Sequence, residues 1–435
     1  MYLRRAILEN IRSFSDLDFD FERPGDDQHA SYAGWSVVLG DNASGKSTLL
    51  KAISLAIVGP DNARILQPSA AGWIREGHNS ATIALQLIAS PEDRWTGPGR
   101  VYGSGTPFWA ELSLERRDRG IVSIGSGKQY VRKGRGPTRG PWADSPEGWY
   151  AVGYGPFRRL YGHSPEAQRL MSTPGAVARF ATMFREDATL AEGDLWLKEL
   201  SHRSLENQVD AREVLTRTLA VLNHRFLQND IRIDRVDSEG LWLRQPDGAE
   251  LALQDMSDGY RAAIAMVVDM IRQLVDIYGP GALSEVSESA PTIPHHGMAL
   301  VDEIDAHLHP SWQRQIGEWF KGIFPNIQFI VTTHSPFICQ AADTNGLFAL
   351  PPPGQGQKPY QVEEEDRLRI IAGRPDTIYL SPAFNMSHTY SPRAVQARRR
   401  HAELQAKRKG VGLTAEEQRE NRQLELFVTG DQDDH

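Results

Sequence analysis

The sequence predicts an α/β fold built around a phosphate-binding loop, and three observations predict it. The apolar run 35–39 leads into Gly40-Asp41-Asn42-Ala43-Ser44-Gly45-Lys46-Ser47, with the helix-forming Thr48-Leu49-Leu50-Lys51-Ala52-Ile53 directly behind. A second apolar run, Met298-Ala299-Leu300-Val301, ends in Asp302-Glu303. A third, Ile327-Gln328-Phe329-Ile330-Val331-Thr332-Thr333, ends in His334-Ser335-Pro336. Short apolar runs of this kind, bounded by polar turns and alternating with helical patterns, read as strands buried in a parallel sheet.

The first element is a complete P-loop in strand-to-helix order. Its glycines let the backbone curl so that successive N–H groups face a β-phosphate at a helix N-terminus. Lys46 is placed to reach the β- and γ-phosphates and Ser47 to ligate Mg²⁺. The expected ATP contacts are Gly40, Asn42, Ala43, Ser44, Gly45, Lys46, Ser47 and Thr48. A chance glycine-rich turn would lack the flanking strand, the helix and the motifs that follow.

The strand ending in Asp302-Glu303 reads as a Walker B strand. Asp302 is expected to hold the Mg²⁺ shell, and Glu303, one residue on and pointing differently, to polarise the attacking water. An acidic pair alone is usually a solvated turn, and here its company with a P-loop decides the reading. By the same logic His334, directly after a buried strand, is expected at the γ-phosphate. His307 and His309 read as ordinary surface imidazoles, because no cysteine cluster or second histidine pair completes a zinc site.

Between these lies Leu253-Gln254-Asp255-Met256-Ser257-Asp258-Gly259-Tyr260-Arg261, which opens a helix expected to run through Ile277. Ile264, Val267, Val268, Ile271, Leu274 and Val275 fall at three- and four-residue spacing and form its core face. The Ser-Asp-Gly start is small and polar, so its free N–H groups and the Ser257 hydroxyl can receive an anion.

The order P-loop, Ser-Asp-Gly signature, Asp-Glu strand, Asp305 turn and His334 resembles the ABC-type ATPases of the RecF-, SMC- and OLD-like branch. Tyr2-Leu3-Arg4-Arg5-Ala6-Ile7-Leu8-Glu9-Asn10-Ile11-Arg12-Ser13-Phe14 is similar to the opening strand of that branch. Met256, Asp258 and Tyr260 depart from the transporter signature. The resemblance implies two heads joined head to tail, each nucleotide lying between one chain's P-loop and the other's Ser257 and Gly259. It places Asp305 at the seam and makes nucleotide occupancy a dimerisation signal. It also puts Tyr154-Gly155-Pro156-Phe157-Arg158-Arg159 where related ATPases carry a Q-loop, so that Arg158 or Arg159 is a candidate γ-phosphate or Mg²⁺-shell sensor, the alternative being a turn with surface arginines.

Four segments are expected. Residues 1–160 form an N-terminal ATPase lobe with antiparallel strands, and 161–240 a helical lobe, with 164–237 reading mainly helical. Residues 241–350 form a C-terminal ATPase lobe, and 351–435 an extension after Pro351-Pro352-Pro353-Gly354. In the extension Ser391-Pro392 reads as an N-cap with proline at the first helical position, and Thr414-Ala415-Glu416-Glu417 as a capping box. Residues 393–409 hold seven Arg or Lys and one acid, so this helical hairpin is expected to dock on another copy or a partner.

A single cysteine, Cys339, and the absence of an apolar N-terminal segment point to the cytoplasm, without disulfides or membrane span. The net charge of −8 gives no general attraction for nucleic acid. Lys128, Arg132, Lys133, Arg135 and Arg139 form a local basic loop, either merely solvated or a contact for DNA phosphates or a partner. No sustained heptads support a long coiled coil.

OLD-type proteins carry a TOPRIM nuclease after the ATPase. Here the one Asp-x-Asp pair after His334, Asp431-Gln432-Asp433, has no strand scaffold, and the compact ATPase resembles the ATPase subunits of antiphage systems such as Septu. That resemblance implies a separate effector such as an HNH nuclease, with self-association as a dimer or higher even oligomer. A RecF- or SMC-like repair ATPase that binds DNA itself, and a nucleotide-gated scaffold with little turnover, are the alternatives.

Overall fold

The computed structural model describes residues 1–23, 32–98, 101–117, 120–131, 136–158, 164–171, 175–352, 354, 357–384, 386–425 and 428. Arg132, Lys133, Arg135, Arg159 and the Asp431-Gln432-Asp433 run therefore lie outside the described residues. The chain divides into two compact units, Met1–Gly373 and Arg374–His435.

The first unit opens with the antiparallel pair β1 (Tyr2–Ile11) and β2 (Phe14–Asp20), followed by β3 (Gly34–Gly40) and, through the P-loop, α1 (Lys46–Leu66). Helix α1 kinks at Gly59-Pro60, where Gly59 has φ 84° and a Cβ would strike the Trp142 ring. Strands β4 (Ser80–Ile88), β5 (Pro107–Arg116) and β6 (Val122–Ser126) complete an antiparallel sheet in the order β2-β1-β4-β5-β6. After β7 (Ala151–Tyr154) come α2 (Pro165–Met171), α3 (Ala176–Phe184), α4 (Ala191–Leu205) and α5 (Val209–Asn223).

The stretch 164–237, expected to be mainly helical, holds these four helices and ends in a strand that the expectation did not include. Strands β8 (Arg232–Asp237), β9 (Gly240–Arg244) and β10 (Glu250–Ala252) form a small antiparallel sheet of their own. Ile233 and Val236 are buried while Arg232 and Asp234 stay exposed. So few apolar positions on so charged a segment hide its alternation.

Helix α6 (Asp258–Tyr278), β11 (Gly297–Val301), α7 (Pro310–Ile323), β12 (Ile327–Thr332), α8 (Pro336–Cys339), β13 (Leu347–Leu350), β14 (Tyr360–Gln361) and α9 (Glu364–Ala372) complete this unit. The central sheet runs β14-β13-β3-β12-β11-β7, and all its pairs are parallel except β13 with β14. Its strands β7, β11, β12 and β13 are buried along their whole length because both faces are covered. Trp35 of β3 packs on Phe320 of α7 and Phe329 of β12, with ring centroids 6.0 and 5.4 Å apart. Leu49, Leu50, Ile53 and Ile57 of α1 join Leu300 and Ile330 in the core. Because β12 alone separates β3 from β11, the P-loop and the carboxylates after β11 emerge at the same sheet edge.

The second unit contains α10 (Pro375–Tyr379), α11 (Pro392–Gly410) and α12 (Ala415–Glu425). Ser391 caps α11 by accepting from the Ala394 N–H, and Thr414 and Glu417 form the reciprocal capping pair of α12. Arg400–Glu420 and Lys407–Glu417 ion pairs join the two helices. Among the described residues no helix is long and apolar enough to cross a membrane.

Candidate nucleotide site

The P-loop turns on residues with left-handed backbone: Ala43 has φ 65° and Gly45 φ 104°. A Cβ at Gly45 would also meet the Phe14 ring, so only glycine fits there. Lys46 is 6% exposed and its Nζ donates to the carbonyls of Gly40 at 2.7 Å and Asp41 at 3.1 Å. Burial lowers the pKa of its ammonium, against the opposing pull of Asp302, Glu303, Asp41 and Asp305. The Ser44 hydroxyl is buried without a hydrogen-bond partner.

Asp302 is 1% exposed. Its Oδ1 accepts from Thr332 Oγ1 at 2.5 Å, whereas its Oδ2 is buried and unpartnered. An orphaned carboxylate oxygen is costly unless a cation completes it. The Asp302 charge reaches the P-loop lysine, and a free carboxylate oxygen fits the hard oxygen-ligand chemistry of Mg²⁺. Glu303 follows with φ 48°, and its N–H donates to the same Thr332 hydroxyl at 2.8 Å. Thr332 thus orients both acids. Sequence reasoning missed it because a threonine ending a strand is unremarkable until its neighbour strand is known.

Arg158 is 5% exposed and not a surface residue of a turn. It donates to the carbonyls of Gly155 (3.1 Å), Asp302 (2.6 Å) and Glu303 (2.9 Å). Burial pushes its guanidinium down to about 10, opposed by Asp302, Asp305 and Glu303, which leaves it cationic at neutral pH.

Asp305 accepts from the Thr333 hydroxyl. Gln313 of α7 donates to the carbonyls of Asp305 (3.4 Å) and Leu308 (2.8 Å) and accepts from Ser335 Oγ (2.7 Å), tying the Asp305 turn to the His334 loop. His334 is exposed, and desolvation followed by the Lys46 charge holds its imidazole below the usual range. His309 is exposed and its ring caps α7, accepting from the Ser311 N–H. Arg12, with φ 45°, stacks over the Trp73 ring at 4.6 Å and donates to Thr48 Oγ1 at 3.4 Å, bringing a second cation beside the P-loop helix.

Lys46, Asp302, Glu303, Asp305 and His334 therefore share one electrostatic site. The signature residues lie elsewhere. Ser257 is the N-cap of α6 and its side chain makes no capping bond, while Gly259 is buried against the His307 carbonyl. Among the described residues no hydrogen bond links Ser257 or Gly259 to the P-loop of the same chain.

Two family profiles match: one described as "AAA domain" over residues 5–138, the other as "AAA domain, putative AbiEii toxin, Type IV TA system" over residues 176–340. The "Retron Vc95 probable ATPase" of Vibrio cholerae serotype O1 biovar El Tor is 32% identical over 392 residues, covering 77% of this chain and 71% of that protein. The chain belongs to that P-loop ATPase family. A "Septu protein PtuA" of Bacillus mycoides is 24% identical over 336 residues, and the chain spans 38% of its length while 77% of the chain is matched. A solved Smc head domain with an extended coiled coil, bound to the C-terminal domain of ScpA and derived from Pyrococcus furiosus, is similar at TM-score 0.46 and 16% identity, over 85% of this chain and 98% of that one.

Proposed function

We propose that this chain hydrolyses Mg²⁺-bound ATP between two head-to-tail copies, and that the cycle regulates a separately encoded effector, a nuclease of the HNH class, in bacterial antiphage defence. The observation that carries the ATPase part is the buried, unpartnered Asp302 Oδ2, at a carboxylate whose charge, with that of Glu303, acts on the P-loop Lys46. Lys46 and the P-loop amides would hold the β- and γ-phosphates, and Ser47 and Asp302 would hold Mg²⁺, which when bound supplies charge neutralisation on the phosphates. Glu303 would take the proton of the attacking water, and His334 would donate to the γ-phosphate when protonated or through its ring N–H when neutral.

Dimerisation is supported by the signature residues Ser257 and Gly259 having, among the described residues, no hydrogen bond to the P-loop of their own chain. Likeness to the Septu and retron proteins supports the defence setting and the effector. The test is phosphate release by the purified chain with and without Mg²⁺, with light scattering of Glu303→Gln in ATP. Mg²⁺-dependent release and an ATP-held dimer of the variant are expected. Absence of both would overturn the reading.

A further inference from the structure

We infer that Arg158 is a positioning residue for Glu303, acting through the backbone of the Asp302-Glu303 step rather than through the nucleotide. The inference rests on the proposed ATPase reading, in which Glu303 polarises the attacking water.

The need for such a residue follows from the sheet. Strand β11 is paired with β7 up to Val301 and Tyr154, and the Asp302 N–H still reaches the Tyr154 carbonyl at 2.8 Å. Beyond it, Gly155-Pro156 turns the β7 chain away, and proline has no N–H to offer. The Asp302 carbonyl would then lose its strand partner at a buried position, which is costly, and the Glu303 carbonyl would keep only the Ala306 N–H of its own turn, at 2.9 Å. Arg158 fills the gap from two residues further along the turn. One guanidinium nitrogen reaches Gly155 and Asp302 and the other reaches Glu303. A planar fork spans two consecutive carbonyls, whereas the single ammonium of a lysine does not.

The step it holds is an unusual one. Glu303 has φ 48°, a conformation rarely adopted by residues with a Cβ and kept only where the surroundings impose it. Thr332 takes the Glu303 N–H on one side, and Arg158 joins the Ala306 N–H at the Glu303 carbonyl on the other. Both peptide planes flanking the Glu303 Cα are thereby held, which fixes where its side chain starts. Because the guanidinium is committed to carbonyls and lies 5% exposed, it is not free to sense a γ-phosphate directly. A general base displaced by about 1 Å loses about 100-fold in rate without altering substrate affinity.

The test uses the full chain carrying Arg158→Met, Arg158→Lys, Glu303→Gln, or both R158M and E303Q. ATP turnover, affinity for a fluorescent ATP analogue and thermal melting are measured for each. For R158M, kcat is expected to fall about 100-fold with nucleotide affinity within about twofold of wild type, and methylguanidinium to restore part of the rate. The lysine variant, which keeps the charge and loses the fork, is expected to lose about tenfold in kcat. R158M added to E303Q should cost no further rate, since both act at one group.

Wild-type turnover in R158K overturns the inference even if R158M fails to fold. So does a loss of nucleotide affinity in step with the rate, or additive losses in the double variant. A wild-type chain without ATP turnover, or E303Q with full turnover, overturns the parent reading and this inference with it. E303Q inactive beside a fully active R158M overturns this inference alone.

Discussion

The carbonyl oxygen of His307 lies where a side chain at Gly259 would begin. Helix α6 therefore starts in direct backbone contact with the turn that carries Asp305, which couples the two proposed seam elements. Replacing Gly259 by alanine forces an overlap with backbone, which cannot rotate away, at a cost of about 1–3 kcal/mol. The expected outcome for Gly259→Ala is a folded protein with a lowered melting temperature and a weakened ATP-held dimer in the E303Q background, measured by light scattering. A dimer as strong as the parent's would show that this contact does not set the seam.

Thr332 supplies one hydroxyl to two acids, donating to Asp302 and accepting from the Glu303 N–H. Thr332→Val keeps the shape and leaves that buried N–H and carboxylate oxygen unpaired, for about 1–3 kcal/mol of stability each at most. ATP turnover should fall by at least tenfold, whereas Thr332→Ser should keep most of it. Equal rates in the two variants would remove the hydroxyl from the argument.

Ser257 caps α6 without a side-chain bond of its own, and no hydrogen bond ties it to the P-loop of the same chain. If a partner's nucleotide fills that cap, mixing Lys46→Ala with Ser257→Arg chains restores up to one working site per mixed dimer, since each supplies what the other lacks. A mixture no more active than its parents would show that the signature acts in cis.

The elements legible in the sequence are those whose residues are neighbours along the chain. The P-loop is readable because an apolar run, two glycines, a lysine and a helix follow one another within about 20 residues. Asp302-Glu303 and His334 are readable because each closes a buried strand. Arg158 could be named but not interpreted, because two of the carbonyls it holds lie 144 and 145 residues away. Thr332 was invisible for the same reason, its role depending on β12 lying beside β11. The β8–β10 sheet escaped notice because charged side chains outnumber its few buried ones.

A second ion-pair centre, at the opposite end of β11, gives a pH signature of folding. Glu92 accepts from His295 Nδ1 at 2.7 Å and from the His296 N–H at 2.8 Å. Burial alone would raise the Glu92 pKa, but the histidine hydrogen bonds outweigh it and hold the carboxyl well below its ordinary 4.5. Burial likewise opposes a charged His295, and the hydrogen bond to Glu92 raises its pKa above 6.5. The Glu92 contribution is present above pH 4.5 and lost as pH falls through its folded value. The His295 contribution is present below pH 6.5 and lost as pH rises through its folded value. Glu92→Gln should therefore cost most between pH 4.5 and 6.5, about 1–3 kcal/mol for charge-assisted bonds, and less above it. A melting-temperature loss that is the same at pH 5.5 and 9 would rule out the ion pair as its source.

All the proposed nucleotide-binding and catalytic residues lie in the unit Met1–Gly373, whereas α11 and α12 belong to the compact unit Arg374–His435. Ion pairs and caps join the two helices to each other, so this unit has contacts of its own and a charged surface suited to docking. Removing residues 374–435 should spare ATP-analogue affinity to within about twofold and weaken higher assembly or effector capture, read by light scattering and pull-down. The full chain, purified without an effector, should leave plasmid and linear DNA intact in Mg²⁺ or Mn²⁺. DNA cleavage that persists in Lys46→Ala and disappears on a mutation elsewhere in the chain would place a nuclease within this protein and remove the need for a separate one. Unchanged mass and effector capture after truncation would move the docking surface to the ATPase unit itself.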